Sequence, residues 1–365
     1  MSYRLSSPTI LAFVFLFAAA CQGSSGGAGS AETGGMSSAD VAEVTAGDVP
    51  TDSTGCDYDS DCPGRQRCYG GRCELPDAMA RGDLEFKLIS AGNLHACGIT
   101  TSLEVACWGG PDQYDPLDVP YGTMHYVSSS AQYDCAINSA GLIDCWGDTN
   151  FEGRLDPPQK GMFEVVETGE NHACAIHGDG SLYCWGLGSE ANQDEGFADF
   201  DQAVPPDGKF IDVTVGYAHT CAIRENNEVA CWGQGADPMK DEKGNDYDQS
   251  VAPKGKFTQI SSGRHRNCGV RPDEELHCWG REDFGTPPDG KFRHVAVGKN
   301  HSCAIRRDGT ATCWGFNERG ESDPPSGTFT QLTAGTQYTC GLRESGVVEC
   351  WGRDNHGQSS PPSGG

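Results

Sequence analysis

Seven times in this chain a cysteine is followed, after nine residues, by Cys-Trp-Gly: Cys97/Cys107, Cys135/Cys145, Cys174/Cys184, Cys221/Cys231, Cys268/Cys278, Cys303/Cys313 and Cys340/Cys350. All seven tryptophans stand after the second cysteine of a pair. Successive copies begin 38, 39, 47, 47, 35 and 37 residues apart, so the inner spacing is invariant while the outer spacing drifts. That combination describes a rigid hairpin repeated in series and joined by loops that accept insertions. Each copy also opens alike, with Phe86, Met124, Phe163, Phe210, Phe257, Phe292 or Phe329 and, three residues on, Ile89, Val127, Val166, Val213, Ile260, Val295 or Leu332. These are β-type stretches bounded by turn residues. Fifty glycines, twenty prolines and only 36% hydrophobic residues exclude a bundle of long helices.

Side-chain alternation then sets the packing. Cys303 and Ile305 share one face of a strand, and Ala304 lies on the other. The position of Ala304 is held by Gly98, Ala136, Ala175, Ala222, Gly269 and Gly341 in the other copies. Trp314 falls diagonal to Ala304 on the antiparallel partner, where the small side chain leaves room for the indole. Both faces are apolar or small, as in a sheet held between two others. Seven such sheets around an axis predict an all-β fold, a seven-bladed β-propeller over residues 83–365. The terminal turn Pro361-Pro362-Ser363-Gly364-Gly365 precedes no strand, and the first strand, at Phe86, lacks a turn. The strand around Phe86 is therefore expected beside the segment after Trp351, sealing the ring.

Gly298-Lys299-Asn300-His301-Ser302-Cys303-Ala304-Ile305, Asp308-Gly309 and Cys313-Trp314-Gly315 together resemble a unit of the regulator-of-chromosome-condensation repeat family. The resemblance runs from about Asp83 to Gly365. It implies the propeller fold and says far less about activity.

Paired cysteines ten residues apart across a tight turn face one another at disulfide range, which predicts a bridge within each hairpin. The competing reading is zinc, prompted by His95, His172, His219 and His301 two residues before the first cysteine. Tyr133, Arg266 and Tyr338 replace them elsewhere while the cysteine pairs persist, so no metal is expected and the histidines are read as structural.

Upstream, residues 1–20 carry one charge, Arg4, and an apolar run ending in Ala18-Ala19-Ala20. This reads as an export signal, too short to span a bilayer comfortably. Its end resembles a bacterial lipobox, making Cys21 the lipid-bearing residue of an envelope lipoprotein at the outer membrane or cell surface, held to the membrane by that anchor alone. Residues 21–55 contain no Lys, Arg or aromatic residue and read as a disordered tether. Residues 56–76 hold Cys56, Cys62, Cys68 and Cys73 in a segment too short for a core, a small disulfide-rich module. The pairing Cys56 with Cys68 and Cys62 with Cys73 resembles epidermal-growth-factor or Dickkopf knots.

A net charge of −26 repels a phosphate backbone and excludes nucleic acid as a partner. The sequence holds no nucleophile elbow, zincin motif, Walker loop or dinucleotide fingerprint. No catalytic residue, cofactor or enzymatic activity is expected, and the chain is read as a monomeric binding propeller for a protein or an extracellular glycan. Binding is assigned to the enlarged loops after the third and fourth Cys-Trp-Gly, residues 187–203 and 234–251, through Asp194, Phe197, Phe200, Asp201, Met239, Asp241, Asp246 and Tyr247. Three alternatives stand beside it: an enzyme inhibitor similar to beta-lactamase inhibitory protein II, a carbohydrate-active propeller, and the guanine-nucleotide exchange that the family name implies, which export and charge oppose.

Overall fold

The computed structural model describes residues 67–69, 72–74, 84–110, 119–147, 150–189, 200–235 and 247–362. Within them lie seven three-stranded antiparallel sheets and one two-stranded hairpin, with no α-helix. The hairpin, Arg67–Tyr69 with Arg72–Glu74, sets Cys68 opposite Cys73 in register. Cys21, Cys56 and Cys62 lie outside the described residues.

Each sheet is one repeat and forms a blade. In the sixth, Phe292–Val297 is the inner strand, His301–Arg306 the middle one and Ala311–Gly315 the outer one. The register places Cys303 opposite Cys313 and Ala304 opposite Thr312, so Trp314 is diagonal to Ala304. The same register recurs in every blade. Cys97 is bridged to Cys107, Cys135 to Cys145, Cys174 to Cys184, Cys221 to Cys231, Cys268 to Cys278, Cys303 to Cys313 and Cys340 to Cys350, with Cα atoms 4.0–4.1 Å apart. Bridges of this number belong to an oxidising compartment.

Burial within the pairs is unequal, which departs from the expectation of a sheet covered evenly on both faces. The middle-strand cysteines are fully buried, and Cys107 with them, whereas Cys145, Cys184, Cys231, Cys278, Cys313 and Cys350 are only partly buried. These six stand on outer strands, at the edges of their blades, where blades arranged around an axis diverge and cover one another less.

The apolar core is divided into seven slabs, one at each junction between neighbouring blades. Cys303 and Ile305 pack toward the seventh blade with Leu332 and Trp351, whereas Ala304, Val295 and Trp314 pack toward the fifth with Cys268 and Val270. Every blade thus has the two faces of its inner and middle strands covered by its neighbours, and none could bury its apolar surface alone.

Polar side chains stitch the slabs. Nε2 of His172 donates to Oγ1 of Thr220 at 2.8 Å, and that hydroxyl donates to the Gln202 carbonyl at 2.9 Å. His219 bonds Asn267 at 2.8 Å and His301 bonds Thr339 at 2.7 Å in the same way. His95 donates to the buried Asp134 carboxylate at 2.8 Å. Where the repeat has tyrosine, Tyr133 and Tyr338 reach a carbonyl of the next blade instead. Gly298 precedes this position because a Cβ there would sit 2.7 Å from the Gly335 carbonyl oxygen of the next blade.

Closure differs from the sequence expectation. The strand Phe86–Ala91 is the inner strand of the first blade and pairs only with His95–Thr100. It meets the seventh blade through one backbone bond, Phe86 N–H to the Gly346 carbonyl at 2.8 Å, and through side chains, the Gln331 amide bonding the Ile89 backbone at 3.0 and 2.9 Å and Thr333 accepting from Ala91 at 2.8 Å. The segment after Trp351 lies instead against the outer strand of the first blade, where Gln358 accepts from the Trp108 indole at 3.1 Å. The reason is registry: the last segment is the same loop that blades 2, 3 and 6 send to the tryptophan of the next blade, to Trp185, Trp232 and Trp351, so it lands on Trp108.

Candidate functional site

The inner strands surround a central channel of about 350 Å³. Most polar groups on its wall are committed to blade-to-blade bonds. Oγ of Ser90, Ser128 and Ser261 and Oγ1 of Thr214 and Thr333 each accept from a backbone N–H of the next blade at 2.8–3.0 Å. Gln259 and Gln331 bond the following strand through both amide atoms. Two carboxyls depart from this pattern. Glu167 takes a hydroxyl position and accepts from the Tyr126 phenol at 2.9 Å. Burial pushes its pKa up to about 8, and that of Asp212 up to about 7.

The bridges stand apart from this wall. Cys145, Cys184, Cys231, Cys278 and Cys350 lie on outer strands, and their partners Cys135, Cys174, Cys221, Cys268 and Cys340 on middle strands, so each pair fastens a blade away from the channel.

The histidine relays carry no metal chemistry. His95, Cys97 and Asp134 converge, but Cys97 Sγ is already bonded to Cys107 and offers no thiolate. Burial lowers the pKa of His172 to about 3 and of His219 and His301 to about 4, so these rings stay neutral.

Enlarged loops and the turns between inner and middle strands share one face. In each case the backbone N–H just after the outer strand bonds a carbonyl of that turn: Leu187 to Asn171, Gln234 to Ala218, Arg281 to His265 and Phe316 to Asn300, at 2.8–3.0 Å. Of the expected binding residues, Phe200, Asp201 and Tyr247 are described, and Asp194, Phe197, Met239, Asp241 and Asp246 lie outside the described residues. Phe200-Asp201-Gln202 and Tyr247-Asp248-Gln249 are two copies of one hook. The first residue donates its N–H to the Gln Oε1 at 2.8 Å, and the middle one has φ +57°. Arg319-Gly320-Glu321 and His356-Gly357-Gln358 repeat it. The hook carbonyl then accepts from the next blade: Trp232 at Gln202, Asn267 at Gln249, Trp351 at Glu321 and Trp108 at Gln358. The ends of the enlarged loops are therefore structural, although the side chain of Tyr247 is not used by the hook.

That side chain belongs to a chain of rings and cations crossing the face of blades 4 to 6. The Arg264 guanidinium stands 4.8 Å over Tyr217, and His265 lies 5.7 Å from Tyr217 and 5.6 Å from Tyr247. Arg281 covers Tyr247 at 5.2 Å and Phe284 at 4.7 Å, held by a bidentate bond to Asp283 with both contacts at 2.7 Å. Phe284 meets Phe316 edge-on at 5.5 Å, and Phe316 is 44% exposed. The repeat does not demand these residues: the position of Tyr217 holds Asn93, Ala131, Glu170, Arg264, Lys299 and Thr336 elsewhere.

Comparison with known proteins bears on the architecture. The regulator of chromosome condensation (RCC1) repeat matches residues 165–191, 210–237, 292–321 and 329–358, which are blades 3, 4, 6 and 7. Four of the seven blades are RCC1 repeats, and the fold is that of an RCC1-type propeller. Among solved structures, the Physcomitrella patens receptor kinase CR4 ectodomain is 22% identical over 74% of this chain and 73% of its own, with a TM-score of 0.59. The CRINKLY WD40 ectodomain of the Arabidopsis thaliana receptor kinase ACR4 is 23% identical over 74% and 98%, with a TM-score of 0.58. Prp20p of Saccharomyces cerevisiae, described with its binding properties to Gsp1p and histones, is 16% identical over 73% and 84%, with a TM-score of 0.55. At these identities the likeness is one of fold.

Proposed function

We propose that this RCC1-type propeller is an exported, lipid-anchored binding protein that holds a protein partner on the loop-bearing face of blades 4 to 6. The observation that carries the reading is the line of accessible side chains Tyr217, Arg264, Tyr247, Arg281 and Phe316, supported from beneath by the buried His265 and Phe284. Tyrosine and arginine dominate the energetics of protein interfaces, because they offer large contact area and directed hydrogen bonds at small entropic cost. Here they gather on one face of a ring whose repeat leaves those positions free. Protein partners of Prp20p on the same fold are in keeping with this reading. A partner that is itself an enzyme would make the chain an inhibitor, and the same face would serve.

Anchoring rests on residues 1–20 as signal, Cys21 as lipid acceptor, residues 21–55 as tether and the module 56–76 between tether and ring. Fatty-acid labelling that is lost in Cys21→Ser supports the anchor, and equal labelling refutes it. For the binding face, the double variant Tyr247→Ala/Arg281→Ala is compared with the native chain in capture from envelope extract. At an unchanged melting temperature capture should fall at least tenfold, the loss of two interface anchors worth roughly 1–2 kcal/mol each. Equal capture moves the site elsewhere on the ring.

A further inference from the structure

The inner end of the aromatic line reaches the channel mouth, where the ring of seven equivalent positions changes character. Arg264 and Lys299, from adjacent blades 5 and 6, line the mouth together with Glu170 of blade 3. Neither cation makes an ion pair among the described residues, and Nε of Arg264 is buried with no hydrogen-bond partner. Unpaired cations are anomalous on a chain of net charge −26, where 52 acidic residues are available to pair with 26 basic ones. Glu170 reports on the field between them. Burial raises its pKa, while Arg264, Lys299 and Arg154, in that order, oppose the rise. A carboxylate at this mouth therefore senses both cations at once, yet Glu170 itself bonds neither. Deeper in the channel Glu167 and Asp212 offer an anion no counter-charge, and the arginine and lysine of the lining, Arg264 and Lys299, stand only at the mouth.

We infer that the channel mouth between Arg264 and Lys299 receives a carboxylate side chain of the protein partner, as the central anchor of the interface. This rests on the binding face proposed above, and it names the chemistry the partner must bring there. A protein is the source because the cations open directly onto the line from Tyr217 to Phe316, surface that a free small acid would leave uncovered. Arginine supplies the planar donor fork for a carboxylate and lysine a mobile point charge. Glu170 is a competing like charge across the mouth.

The probe is the capped peptide acetyl-Gly-Glu-Phe-Gly-amide, compared with its Gln analogue and with free glutarate, titrated against the full-length protein by calorimetry in 0.15 M salt. The Glu peptide should bind at least fivefold more tightly than the Gln analogue and than glutarate. Arg264→Gln and Lys299→Gln should each remove that preference, whereas Glu170→Gln should strengthen Glu-peptide binding about threefold. Arg306→Gln, beneath Phe292 at the other end of the blade, should leave it unchanged. Equal binding of Glu and Gln peptides, or a preference that survives Arg264→Gln and Lys299→Gln, overturns the inference. Glutarate binding as tightly as the Glu peptide overturns the protein source and makes the mouth a small-anion site. Envelope capture separates the two proposals. If it is lost in Tyr247→Ala/Arg281→Ala but kept in Arg264→Gln/Lys299→Gln, the face stands and the anchor fails. If it is kept in Tyr247→Ala/Arg281→Ala, the face fails, and an anchor shown by the peptides would serve some other partner geometry.

Discussion

Replacing His301 by alanine removes one complete stitch between blades 6 and 7. The imidazole is 2% exposed, and its Nε2 bond to Thr339 is 2.7 Å long. Losing a buried hydrogen bond costs about 1 kcal/mol. The cavity left by the ring adds roughly 2 kcal/mol, since blades held by disulfides and by neighbours on both sides collapse poorly. A total near 3 kcal/mol lowers Tm by roughly 6–9 °C for a domain of this size. The effect should depend on pH with a definite sign. The folded pKa of His301 is lowered to about 4 from an unfolded value near 6.5. Below pH 6.5 the unfolded chain takes up a proton that the native ring refuses, so native stability falls as pH drops toward 4. The alanine variant lacks this slope, so its deficit should shrink by an amount on the order of 2 kcal/mol between pH 7.5 and pH 4.5. Denaturant titration at the two pH values reads both quantities. A deficit that is constant or grows on acidification refutes a neutral buried histidine, and a deficit under 1 kcal/mol refutes the stitch.

The channel carboxyl Glu167 should behave oppositely. Its folded pKa is raised to about 8, so stability is fully present below the unfolded value near 4.5 and is lost as pH rises through 8. Glu167→Gln should therefore flatten the decline in Tm between pH 5 and pH 8.5 and leave the variant at least as stable as the native chain at the upper end; a decline as steep as the native one contradicts the assignment. Non-reducing peptide mapping should return Cys303 linked to Cys313 and the six equivalent pairs. Cys303→Ala/Cys313→Ala should lower the unfolding free energy by at most ~3 kcal/mol, because the bridge closes a loop of about eleven residues; cross-links between blades contradict the register.

Repetition made the fold legible before any coordinates. The constant ten-residue step from Cys303 to Cys313 sets the hairpin register, and the alternation of Ala304 with Ile305 shows that both faces of the sheet are to be covered by neighbours. Alternation says nothing of how far a strand lies from the axis, so it does not foretell the partial burial of Cys145, Cys184, Cys231, Cys278, Cys313 and Cys350. For ring closure the sequence takes the segment after Trp351 as the missing beginning of the first repeat, whereas it is the hook that ends the last one. The hooks themselves carry a short signal, Gly or Asp followed by Gln or Glu, as in Asp201-Gln202 and Gly320-Glu321. Insertions place that signal at different distances from Trp-Gly, so a fixed period does not expose it. For this reason the sequence, which assigns Phe200 and Asp201 to binding, does not reveal that their backbone forms the hook. The aromatic line was invisible for another reason: Tyr217, Arg264, Arg281 and Phe316 come from three blades, and only the closed ring brings them together. Of this line, Tyr247 is the one residue that the sequence assigns to binding, on the length of its loop. Glu167 was likewise unremarked, since only the inner-strand register shows that it faces the channel.

Hydrogen exchange of the full-length protein, measured free and after saturation with the partner recovered by envelope capture, tests the central claim most directly. Binding on the loop-bearing face predicts slowed exchange in the turns at 217–218, 264–265 and 299–300 and in the segments 247–250, 281–284 and 316–319. Exchange in the turns between middle and outer strands, such as 225–228 and 307–310 at the other end of the blades, should not change. Protection confined to those opposite turns, with the loop-bearing face unaltered, would contradict the account.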